Sequence, residues 1–128
     1  MAEKSASGPQ LLICIINGKD FLDWLLEAFL ELGISGATVV QSQGMGRILV
    51  RDFPLFAGFK ELLESGGPFN YTVLSVVYDP KLIDDVIELL PDLRKGDDSK
   101  GVLFTVPVSR FVRFEDIPGW HQKKTKSR

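Results

Sequence analysis

Three stretches of the 128-residue chain carry cations in settings that could capture anions, two of them beside glycines. In "QSQGMGR" (41–47), Gly44 and Gly46 stand one residue apart and Arg47 follows. Backbone at glycine can approach a phosphate closely, and a guanidinium can pair with it. Alone, Gly-x-Gly-Arg suits the base of a flexible hairpin equally well. It is not a dinucleotide fingerprint, because no third glycine follows at the required spacing and no helix is expected to open here. In "RKGDDSKG" (94–101), Lys100 and Gly101 end a loop that either cradles phosphate or is an ordinary solvated turn. The Gly-Lys-Ser/Thr ending of a P-loop is missing. The third stretch, "GVLFTVPVSRFVRF" (101–114), is apolar yet carries Arg110 and Arg113 three residues apart. These are either solvated charges at a sheet edge or groups aimed at something anionic.

Catalytic chemistry finds less support. The carboxylate pairs Asp84–Asp85 and Asp97–Asp98 fall on a polar helix stripe and in a lysine-rich loop, with no adjoining apolar pocket to split two pKa values. No nucleophile–base constellation is present, and a non-enzymatic protein is expected. One cysteine, Cys14, and one histidine, His121, cannot build a zinc site within one chain, so no metal is expected. Cys14 lies in an apolar run and reads as a buried, inert thiol.

The elements that must hold these residues fit one domain over 11–114, between a polar leader (1–10) and a polar, basic tail (115–128). The leader lacks the apolar core of a signal peptide, and the longest apolar runs, such as "LLICII" (11–16), fall far short of the roughly 20 residues of a membrane span. A cytoplasmic location is expected. Net charge is −2, but 119–128 holds four Lys and Arg and no acid, leaving 11 basic against 17 acidic residues, net −6, in 1–118. So acidic a body argues against nucleic-acid binding.

Strands are expected at 11–16, 34–43, 70–78 and 101–108, with a short extra strand in "SRFVRF" after Pro107. One helix is expected over 20–33, capped by Asp20 and stopped by Gly33. A second is expected over 79–91, capped by Asp79, opened by Pro80 and stopped by Pro91. The apolar arc of helix 20–33 is wider than packing on one sheet requires, which points to a second burial surface, either the long connection or another subunit. The connection 45–70 holds Phe53, Phe56, Phe59 and Phe69, and a packed helix is expected at about 55–64. The order strand–helix–strand, strand–helix–strand makes an α+β, ferredoxin-like βαββαβ sandwich, its antiparallel sheet covered on one face by two helices.

The stretch 14–47 resembles the opening half of PII-type signalling proteins. Gly33, Ile34, Gly36 and Thr38 match their Gly-Ile-x-Gly-x-Thr turn, and Gly44, Met45, Gly46 and Arg47 match their Gly-Phe-Gly-Arg motif. The segment 103–114 resembles their closing strands, with Pro107, Val108, Arg110 and Arg113 in register. The resemblance implies a homotrimer that senses a small anionic ligand in intersubunit clefts, an adenine nucleotide such as ATP, ADP, AMP or cyclic di-AMP. It also implies regulation of a protein target such as an enzyme or membrane transporter. Gly44, Gly46, Arg47, Lys100, Gly101, Arg110 and Arg113 would border the cleft, with Arg113 reaching the phosphates. The chain departs from the family at three motif positions. Ser99–Val102 stands where the family has Gly-Asp-Gly-Lys, Glu115 replaces its second phosphate arginine, and Ile48 replaces a glutamine used with magnesium and 2-oxoglutarate. No tyrosine occurs between 43 and 69. These departures argue against ATP and 2-oxoglutarate as the sensed pair. They leave open an interaction module of the same family that has lost nucleotide binding.

Overall fold

A computed structural model describes residues 8–55, 70–93 and 100–122. The order is β1 (Gln10–Asn17), α1 (Lys19–Leu32), β2 (Thr38–Ser42), α2 (Met45–Asp52), β3 (Asn70–Val77), α3 (Pro80–Leu93) and β4 (Gly101–Pro107). The sheet order is β2-β3-β1-β4 with every pair antiparallel, the ferredoxin-like arrangement expected of the sequence.

Strand alternation decides which face is covered. Leu12, Cys14 and Ile16 of β1 and Val73 and Val77 of β3 are buried against Phe21, Leu22, Leu25 and Phe29 of α1 and Ile83 and Val86 of α3. The intervening residues Leu11, Ile13 and Ile15 lie on the opposite face, in register with Val76, Leu74 and Thr72 of β3 and Val106, Phe104 and Val102 of β4. That second face is apolar and has no layer over it among the described residues, and Val102, Phe104 and Val106 are exposed.

Helix ends follow local chemistry with three corrections. Gly33 ends α1 in the left-handed conformation (φ +95°), and Ile34 N–H bonds to the Phe29 carbonyl at 2.8 Å while its side chain joins the core. At the other end Gly18, not Asp20, is the N-cap. The Leu22 N–H reaches the Gly18 carbonyl at 3.2 Å, so the helix opens earlier and Asp20 sits in its first turn. Asp79 caps α3 as expected, its carboxylate accepting from the Lys81 N–H at 3.0 Å. Pro91 does not stop α3, which runs on to Leu93. The carbonyl that loses a partner belongs to Ile87, and Ile87 and Pro91 are both exposed, so water can replace the missing bond.

The third correction falls on the connection after β2. A helix does open there, at Met45, where none was expected. Of the helix expected at about 55–64, residues 56–64 lie outside the described residues. Nor does "SRFVRF" form an extra strand. Residues 108–113 pair with no strand among the described residues, and a 3-10 turn follows at Phe114–Asp116. β1 begins at Gln10, inside the stretch assigned to the leader. The wide apolar arc of α1 finds its second surface mainly within the subunit, because α1 also packs on α3 and Leu26 and Leu32 adjoin the core. Leu30 alone among its leucines stays largely exposed.

Candidate functional site

The seven candidate residues divide between the two ends of the sheet. At one end, Ser42 pairs with Asn70, Asn70 with Asn17, and β4 begins beside Ile16. Gly44 packs here against Asn70. A Cβ on Gly44 would stand 3.2 Å from the Asn70 side-chain nitrogen. Across the same end, the Lys100 N–H donates to Asn17 Oδ1 at 3.4 Å. Gly44, Gly46, Arg47, Lys100 and Gly101 therefore share one end, spread across three interstrand steps of about 4.8 Å each.

Arg47 stands out electrostatically. It lies in the first turn of α2, beyond Gly44 as N-cap, where unpaired backbone N–H groups and the helix dipole favour negative charge. Its Nη1 and Nη2 are both shielded from solvent, and neither has a hydrogen-bond partner among the described residues. Arg51, one turn on, is the contrast. Its Nε donates to Asp52 at 2.8 Å and its Nη1 to Gln43 Oε1 at 3.3 Å, and the Asp52 carboxyl is held below its usual range by that bond.

Gly101 has a packing role that the sequence did not reveal. A Cβ there would come within 2.6 Å of the Ile15 carbonyl oxygen, so only glycine admits β4 this close to β1.

Arg110 and Arg113 lie past the far end of β4, a strand that spans about 20 Å from Gly101 to Pro107 at the rise of extended backbone. Arg110 is exposed. Arg113 borders an open cleft of about 720 Å³ whose other walls are the 33–38 turn, the end of β3 and Phe111. The motif turn Gly33–Thr38 thus faces Arg113, a juxtaposition that their separation in sequence concealed. Ser75, buried beneath it, donates its hydroxyl to the Gly36 carbonyl.

No family model matches the sequence, and no curated protein matches it. Solved structures do. The chain superposes on Arabidopsis thaliana PII bound to citrate with a TM-score of 0.57, at 21% identity, over 86% of each chain. It superposes on CPII bound to ADP, AMP and acetate, from Thiomonas intermedia K12, with a TM-score of 0.53 at 13% identity, covering 80% of this chain and 91% of that one. A functionally unknown protein from Pediococcus pentosaceus is similar at a TM-score of 0.52 and 16% identity, covering 84% and 99%. The chain has the PII fold. On a PII fold the Gly44–Arg47 turn closes β2 and leads into α2, while Arg113 follows β4 at the opposite end of the sheet.

Proposed function

We propose that this is a non-enzymatic, divergent PII-like regulatory protein. It binds a small anion, with adenine nucleotides the leading class, and acts on a protein partner. The observation that carries the reading is Arg47. A guanidinium stays charged at any working pH, and a shielded charge without a partner is costly. An anion at the α2 N-terminus supplies the missing charge and acceptors, each charged hydrogen bond contributing about 1.5–3 kcal/mol. PII bound to citrate and CPII bound to ADP and AMP share the fold and show what class of ligand to test.

The division of the candidate residues supports a site assembled from two copies. In a ring of subunits joined head to tail, the Arg113 end of one meets the Arg47–Lys100 end of the next. The uncovered face bearing Ile13, Leu74 and Phe104 is the apolar surface such a ring would bury, in keeping with the homotrimer that the resemblance implies. This face replaces the α1 arc as the reason to expect assembly.

A thermal-shift screen against ATP, ADP, AMP, cyclic di-AMP and citrate tests the reading. A true ligand at 100 times its Kd stabilises by about 2.7 kcal/mol. Arg47→Ala and Arg113→Ala should each weaken it at least about tenfold, one charged hydrogen bond's worth. No shift with any of them would favour the second reading, an interaction module without a ligand. The exposed Glu115, in the register of a phosphate arginine, is the observation behind that reading.

A further inference from the structure

Two apolar features, one an exposed cluster and one an open cavity, lie on opposite edges of the sheet. The first follows β4. Residues 108–113 cross the end of the sheet. The Val108 N–H donates to the Pro9 carbonyl at 3.1 Å, Phe111 packs edge-on against Tyr78 with ring centres 5.2 Å apart, and Arg113 faces the turn that enters β2. This path leads the chain to the β2 edge, where four backbone hydrogen bonds fold it into a knuckle. The N–H groups of Asp116, Ile117, Trp120 and Gln122 donate to the carbonyls of Arg113, Phe114, Ile117 and Gly119. These turns bring the Phe114 and Trp120 rings to 5.2 Å, yet leave them 63% and 53% exposed. An ordered aromatic cluster held open to water marks an interaction surface.

The second feature lies at the β4 edge. A cavity of about 350 Å³ opens between the two long helices and β4, lined by Ile16, Phe21, Leu25, Leu90 and Leu103. Lys100 is its only charged lining residue. Knuckle and cavity thus stand on opposite edges of the sheet and at opposite ends of β4, so a subunit cannot fill its own cavity with its own knuckle. A neighbouring copy can. We propose that the knuckle of one copy docks in the β4-edge cavity of the next, with Trp120 as its anchor. The proposal rests on the ring reading above and supplies the contact that gives the ring its direction. Two different patches meeting head to tail are what a closed ring requires, and a Trp seated in an apolar pocket is a frequent source of interface affinity. Charge selects the same occupant. Residues 114–122 hold two acids, Glu115 and Asp116, and no Lys or Arg, and docking sets them beside the neighbour's Lys100. Arg47, three strand steps from Lys100, stays open to the anion.

Fluorescence read beside light scattering tests this on the full chain. The protein has two tryptophans, so Trp24→Phe leaves Trp120 as the only emitter. Its emission should be blue-shifted at concentrations where scattering finds the assembly, and should move to the red on dilution to monomers. Trp120→Ala should raise the dissociation constant of the assembly at least about tenfold. The circular dichroism of the subunit should not change, because this ring lies outside the core. Lys100→Glu should weaken the assembly as well, and adding Glu115→Lys and Asp116→Lys to it should restore the affinity. An assembly of unchanged affinity in Trp120→Ala, with Trp120 emitting as a solvated indole, would overturn the docking and leave the ring reading standing. So would disulfide pairing between two Trp120→Cys chains, which would set knuckle against knuckle. A wild-type chain that stays monomeric at every concentration would overturn the docking and the ring together.

Discussion

The Ser75 hydroxyl donates to the Gly36 carbonyl across 39 positions of sequence, tying the turn before β2 to the interior of β3. Ser75 is buried, and the turn it holds forms the wall facing Arg113. Ser75→Ala removes the donor and should cost about 0.5–1.5 kcal/mol, the net worth of one such bond, in urea unfolding. If the cleft binds ligand, affinity should fall as well, although Ser75 need not touch it.

The two best-placed glycines of the Arg47 end should respond differently to substitution. Gly101→Ala sets a Cβ against the backbone oxygen of Ile15, which cannot yield, and should destabilise by about 1–3 kcal/mol or more. Gly44→Ala meets only the end of the Asn70 side chain at an ordinary φ of −79°, so a loss below about 1 kcal/mol is expected. Thermal melts of the two variants give the comparison.

Burial pushes the Cys14 thiol up to about 11 from an ordinary 9.0. In the native protein it should resist iodoacetamide at pH 8 and react once the chain unfolds. The unfolded thiol ionises near pH 9 while the folded one does not. The contribution to stability is therefore full below pH 9 and is lost as pH rises toward about 11, at up to about 1.4 kcal/mol per pH unit. Unfolding of wild type and Cys14→Ala across that window isolates the effect, and parallel pH curves would refute it.

Within α1 the buried and exposed leucines should separate cleanly. Leu25 is fully buried, and Leu25→Ala should cost about 2–5 kcal/mol. Leu30 is 67% exposed, and Leu30→Ala should change stability by less than about 0.5 kcal/mol. A large loss at Leu30 by denaturant titration would mean that another copy covers it.

Phe104 lies on the open sheet face, in register with Ile13 and Leu74. The proposed ring buries this face, so Phe104→Glu should yield monomers without unfolding the subunit, since the core occupies the other face. Light scattering gives the mass and circular dichroism the fold. An unchanged mass would move the interface elsewhere.

Much of this protein was legible in the order of its residues. The continuous apolar run of "LLICII", the 3.6-residue pattern of 20–33 and the Asp79–Pro80 start are local signals, and with short connections they admit few topologies. The reading of Gly44, Gly46, Arg47, Lys100 and Arg113 as candidate anion contacts drew on the same kind of local signal, because charge and the lack of a Cβ belong to the residue itself. Tertiary structure decided the rest. Only packing shows that Gly101 is small to let β4 approach β1, and that Pro91 can sit inside α3 because its unpaired carbonyl partner faces water. Only the antiparallel sheet, by sending β4 away from Lys100, sets Arg113 against the Gly33–Thr38 turn and leaves Arg47 at the far end. A sequence lists cations that an anion could use. The strand directions determine which of them one copy can bring together and which must come from another.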